Sequence, residues 1–273
     1  MKFMSLTDWL SPKRRRRKKI LAKPFPQEWL AIIEKNVPYY RHLDPDEQDE
    51  LQRHVQIFVA ERHFIGCGGL DINDEIRVTI AAQACVLLLH RDREYRSSLK
   101  TIFVYPHHYI ARGLQQTGDG LFLEGPSIRL GESWHRGPVV LSWDDVLKNA
   151  ADVHDGHNVV FHEFAHQLDD ENGSADGAPP LPKRSMYLAW ARVLGHDYEQ
   201  LVENVKHHHK TFIDAYGATN PAEFFAVASE TFFEKPIQLR HKNPDLYEQL
   251  KICYNQDPAG REMRHKNHHE NNN

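Results

Sequence analysis

The sequence predicts an α+β protein, mostly helical, with a small mixed sheet formed from the middle of the chain. Three observations support this class. Apolar residues recur at helical spacing before residue 90 and again after Asn158. Short runs rich in β-branched and aromatic residues, bounded by Pro and Gly, fall between Lys100 and Trp143. Strands and helices are segregated along the chain, where a doubly wound sheet would alternate them. With 273 residues, 40% hydrophobic and 26% charged, the chain can bury a substantial core.

The elements follow in order. Helices are expected over 26–35 and 44–63, the second with Leu51, Val55, Phe58 and Val59 on one face. A third, over 73–90, is apolar around most of its surface and is expected at the centre. Residues 100–105 read as a strand stopped by Pro106, followed by short strands at 120–124, 127–130 and 138–143. Asp144 opens a short helix to Ala151. Further helices are expected over 158–170, 185–205, 221–234 and 244–254, with Asn172-Gly173 and residues 177–182 as a loop. The organisation predicted is a basic, flexible arm over 1–23, a single domain over 24–264 and a disordered polar tail over 265–273. The domain divides into a helical part, 24–95, and a site-bearing part, 96–264.

Composition narrows the function classes. A net charge of −4 gives no overall reason to expect a nucleic-acid binder. The exception is Lys13-Arg14-Arg15-Arg16-Arg17-Lys18-Lys19, an uninterrupted block suited to weak contact with an anionic membrane or nucleic acid. Cys67, Cys85 and Cys253 are too few and too scattered for a disulfide framework. The most apolar run, 81–89, is too short to span a bilayer, and Asp8 interrupts the apolar start, so a cytoplasmic protein is expected.

The 19 histidines are the compositional outlier. Eight of them form polar clusters, at 107–108, 207–209 and 265/268/269, and read as surface residues. His162-Glu163-Phe164-Ala165-His166 differs because it lies on a mostly apolar helix, where two imidazoles and a carboxylate are costly to bury without compensation. Histidines four residues apart share a helix face, so both rings can reach one tetrahedral zinc ion. Glu163 projects to the side, where a carboxylate can take a proton from an activated water. Asp169 returns to the histidine face and is expected to accept the free N–H of a ligand ring.

A catalytic zinc needs a third protein ligand. The helix over 221–234 offers Glu223 and Glu230, which share a face but lie roughly 10 Å apart along the axis, so only one can serve. Asn220, Pro221 and Glu223 also read as a capping box. The residues alone leave the two glutamates open.

His-Glu-Phe-Ala-His-Gln-Leu-Asp-Asp at 162–170, Tyr216, Glu223-Phe224-Phe225-Ala226, the Ser133-Trp134 to Trp143 segment and Gln256-Asp257-Pro258 closely resemble the Mlc titration factor A family of bacterial zinc peptidases. The resemblance covers the last two-thirds of the chain, and its metal core is similar to that of the anthrax lethal factor catalytic domain, a gluzincin. It implies a zincin-like fold with the sheet beside the motif helix. It also implies His162, His166 and Glu223 as zinc ligands, Glu163 as general base and Tyr216 as oxyanion donor. Glu230 then sits behind the ligands. The implied activity is aminopeptidase-like hydrolysis of peptides linked to control of sugar uptake, or sequestration of an Mlc-type transcriptional repressor. The strand over 138–143 is expected to pair with substrate as an edge strand. Two features depart from the family pattern: residues 121–128 lack the histidine thought to close the metal-free site, and the basic block is additional.

Overall fold

The computed structural model describes residues 12–91, 95, 99–107, 109–116, 122–129, 131–133 and 138–270. Within them lie helices α1 (Pro12–Leu21), α2 (Gln27–Asn36) and α3 (Pro45–Glu61), strand β1 (His63–Gly66) and helix α4 (Asp74–Val86). Strands β2 (Thr101–Tyr105), β3 (Tyr109–Gln116), β4 (Phe122–Arg129), β5 (Gly131–Ser133) and β6 (Val139–Ser142) follow. The rest is helical: α5 (Trp143–Ala151), α6 (Val159–Asp169), α7 (Tyr187–Lys206), α8 (Pro221–Glu234), α9 (Pro236–Lys242), α10 (Pro244–Tyr254) and α11 (Pro258–Glu270). The α+β class is as predicted.

Local chemistry sets several of these boundaries. Asp44 and Glu47 form a reciprocal capping box at the start of α3. Asn73 accepts the Ile76 N–H to open α4, and Asn158 accepts those of Val160 and Phe161 to open α6. From Ile76 to Val86 only Arg77 of α4 escapes burial, which makes this helix the centre of the molecule, as its sequence predicts. Phe161 and Phe164 of α6 and Phe225, Phe232 and Phe233 of α8 are almost fully buried. Each such ring contributes roughly 1.5–3 kcal/mol relative to exposure, so the two site helices are held by a stiff aromatic core.

The main sheet runs in the order β1-β2-β6-β5, with β1, β2 and β6 parallel and β5 antiparallel to β6. It is therefore mixed, and both β5 and β6 pack against α6. Two corrections follow. Strand β6 is internal, flanked by β2 and β5, so it cannot be the edge that receives substrate; among the described residues β5 forms that end of the sheet. The two strands expected at 120–124 and 127–130 are one strand, β4, paired with β3 from Tyr109↔Arg129 to Gln116↔Phe122. Gly125-Pro126 reads as a break in sequence, but a two-stranded ribbon has outward edges on which proline is tolerated.

The basic block is also corrected. Its residues wind through α1, which lies on α3: Arg17 pairs with Glu61, and Arg16 Nη2 donates to the Ala60 carbonyl at 2.7 Å. A partly buried acidic partner and a helix-end carbonyl offset the mutual repulsion of the cations. At the other end α11 continues to Glu270, into the stretch read as a disordered tail. Residues 1–11 and 271–273 lie outside the described residues. None of the three cysteines forms a disulfide. Among the described residues no helix is long and apolar enough to cross a membrane.

Candidate metal centre

Helices α6 and α8 pack directly on one another, and their caps aim the site. At the start of α8, Asn220 Oδ1 accepts the Glu223 N–H at 2.9 Å, and Pro221 occupies the first turn. The capping box is only half realised, because the Glu223 carboxylate turns instead to α6. Its Oε2 lies 3.0 Å from His162 Nε2 and 3.2 Å from His166 Nε2. The two ring nitrogens are 3.2 Å apart.

This triangle fits a metal. Bonds of about 2.0 Å at tetrahedral angles separate neighbouring ligand atoms by roughly 3.3 Å, close to all three distances. Two imidazole nitrogens and a carboxylate oxygen are a donor set that suits zinc. The trio is also the one cluster among the described residues able to hold an ion in this way. Hydrogen-bond accounting gives the same result. His162 Nδ1 faces Glu230 Oε1 at 2.8 Å. A neutral ring donating there presents a lone pair at Nε2 toward the Glu223 oxygen, an opposition that a cation or an extra proton must relieve. Burial opposes charging His162, but its bonds to Glu223 and Glu230 outweigh burial and raise its pKa well above the usual value. Burial raises the Glu223 pKa, and the two histidines reverse this, holding it down at about 2.

Glu163, 3% exposed, lies on α6 beside the first histidine. Tyr216 is carried by a short 3-10 turn, Ala215–Ala218, and its ring centroid lies 6.0 Å from that of His162. The structure thus brings together His162, His166 and Glu223, with Glu230 and Tyr216 around them. Glu230 lies on the far side of the His162 ring from Glu223: Oε1 meets His162 Nδ1 and Oε2 accepts the Asn158 N–H at 2.6 Å.

Asp169 does not join this group. Its Oδ2 accepts the Gly177 N–H at 2.8 Å, and its Oδ1 has no hydrogen-bond partner. Burial above all lifts its pKa to about 7. The residue ends α6, where the chain bends into the following loop, and a loop amide takes the carboxylate that the helical face alone would direct to a histidine. The loop is itself pressed onto α8, since a Cβ on Gly177 (φ +77°) would meet the Pro221 carbonyl oxygen at 2.4 Å.

Sequence reasoning missed Asn158 as more than a helix start. Beyond capping α6, its Nδ2 donates to Gln83 Oε1 at 3.1 Å and Glu234 Oε1 at 3.2 Å, and its carbonyl accepts the His162 N–H. It therefore ties α4 and α8 to the start of α6. The cap was visible in the sequence, but the distant partners were not. His107 and His207 are exposed and pair with carboxylates, His107 with Asp144 and His207 with Glu203.

Site and fold together define a metallopeptidase-like protein, and the comparisons agree. Residues 11–255 match the family of glucose-regulated metallo-peptidases, M90, and the chain belongs to that family. The match takes in the first third of the chain as well, beyond the reach of the motifs. The chain is 40% identical over 244 residues to an uncharacterized protein of Synechocystis sp., covering 89% of both. It is 34% identical over 235 residues to Mlc titration factor A of Serratia proteamaculans, covering 84% of this chain and 87% of that one. With Mlc titration factor A of Yersinia pestis it shares 31% identity over 235 residues, 85% of this chain and 86% of the relative.

Proposed function

We propose that this protein is a zinc-dependent aminopeptidase-like hydrolase of the gluzincin type, acting on peptides in the cytoplasm. The observation that carries the reading is the convergence of His162 Nε2, His166 Nε2 and Glu223 Oε2 at 3.0–3.2 Å. A zincin-like arrangement, with the sheet packed on α6 and β5 at its end, is the fold that this reading assumes. Zinc bound to these three residues would supply Lewis acidity toward water and the scissile carbonyl.

The chain's own groups do the rest. Glu163, buried beside the ligands, takes a proton from the attacking water and passes it to the departing amine. The Tyr216 hydroxyl donates to the carbonyl oxygen as that oxygen gains charge. Glu230 holds the Nδ1–H of His162, which turns Nε2 toward the ion. The free end of β5 receives the substrate backbone. Glu163→Gln is expected to abolish cleavage of peptide anilides while zinc content stays native. Cleavage that survives this substitution overturns the mechanism.

The titration-factor names of the relatives support a second role, sequestration of an Mlc-type repressor linked to sugar uptake. Repressor capture by the Glu163→Gln protein separates the two roles: capture that persists places binding before proteolysis. Weak contact of the basic helix α1 with anionic lipid or nucleic acid is compatible with either role. It predicts binding that falls as salt rises.

A further inference from the structure

The turn that carries Tyr216 is anchored more firmly than the exposure of its side chain suggests. Tyr216 itself is 56% exposed, whereas Ile213 and Gly217 on either side are buried. Asp214 opens the turn: its Oδ1 accepts the Tyr216 N–H at 2.7 Å and its backbone carbonyl accepts the Gly217 N–H at 3.1 Å. Thr219 closes it, donating both Oγ1–H and N–H to the Tyr216 carbonyl. Gly217 seats it. A Cβ there would lie 2.5 Å from Val227 Cγ2 and 3.3 Å from Phe224 Cα, so the turn rests directly on α8, one residue past Glu223.

Asp214 has a second partner. Its Oδ2 lies 3.5 Å from Nδ1 of His157, the residue immediately before Asn158. The backbone of His157 is itself held, with its N–H on Asp155 Oδ1 at 2.8 Å. One carboxylate therefore links the Tyr216 turn to the segment that caps the metal helix and supports Glu230.

We propose that Asp214 is a positioning residue that fixes the backbone of Tyr216 at the metal site, with Gly217 as its seat and His157 as its tie to the α6 cap. This inference rests on the reading of Tyr216 as oxyanion donor. It adds that the tyrosine works only from a backbone held within a fraction of an ångström, since a displacement of about 1 Å costs on the order of 100-fold in rate.

The test is a double-mutant cycle on the zinc-loaded protein, read with an alanyl anilide as substrate, direct zinc analysis and hydrogen exchange at the Tyr216 amide. Asp214→Ala is expected to lower kcat about tenfold with KM and zinc content unchanged, and to speed exchange at Tyr216. Asp214→Asn keeps an acceptor oxygen and is expected to recover most of the loss. Asp214→Ala combined with Tyr216→Phe should be no slower than Tyr216→Phe alone. An additive double variant, or native kcat in Asp214→Ala, overturns the proposal. Should Asp214→Ala lose zinc or fail to fold, Asp214→Glu carries the same expectation, because it keeps the charge and misplaces the acceptor. Native activity in Tyr216→Phe would instead refute the role of the tyrosine. The clamp would then stand or fall on the exchange rate alone, and unchanged protection in Asp214→Ala refutes it.

Discussion

Consider Glu234, the last residue of α8, replaced by glutamine. The side chain is 1% exposed, and burial, reinforced by Asp155 and Glu230, lifts its pKa from 4.5 to about 9 despite the Asn158 hydrogen bond. The folded state therefore holds a proton at neutral pH that the unfolded chain releases. For a group whose pKa rises on folding, the stability contribution is complete below pH 4.5 and is lost as pH climbs toward about 9. At ~1.4 kcal/mol per pH unit, the loss between the unfolded pKa and neutrality amounts to roughly 3 kcal/mol. Glutamine keeps the shape and the acceptor for Asn158 Nδ2 but has nothing to ionise. Urea unfolding in excess chelator, repeated from pH 4.5 to 8.5, should show the two proteins equal at the acid end. They should separate steadily above it, with Glu234→Gln the more stable by roughly 3 kcal/mol near pH 7. Parallel curves across that range would refute the claim that this acid is held neutral beneath the site.

Two further outcomes follow from the same framework. Gly177→Ala places a Cβ 2.4 Å from the Pro221 carbonyl oxygen at a φ of +77°, so thermal unfolding should show a loss of about 2 kcal/mol or more. Asn158→Ala removes the α6 cap together with the bonds to Gln83 and Glu234. It should weaken zinc affinity about tenfold in chelator competition, through loosened support of Glu230 and His162.

How much of this was legible depends on the range of the interaction. The metal pair His162/His166 is a local pattern, fixed once α6 forms, and the cap at Asn158 is equally local. The choice between Glu223 and Glu230 was not legible from their spacing. It depends on how α8 crosses α6, and the resemblance to a family, not the helical geometry, pointed to Glu223. Asp169 was misassigned for a related reason: a helical face gives a side chain a direction, while the amide that claims it comes from Gly177, in the loop beyond. Strand β1 was not foreseen, and only its first residue, His63, was read as part of the preceding helix, because the strand has four residues and its parallel partner begins only at Thr101. The basic block was read as a free arm because the charges that hold it, on Glu61 and the end of α3, lie far along the chain.

The central claim is that His162, His166 and Glu223 bind one ion while Glu230 only supports His162. Direct metal analysis of the native protein beside Glu223→Ala and Glu230→Ala tests it. The account predicts one zinc per native chain, none retained by Glu223→Ala, and zinc bound by Glu230→Ala with about 10- to 100-fold lower affinity. Full zinc in Glu223→Ala, with loss only in Glu230→Ala, would contradict it.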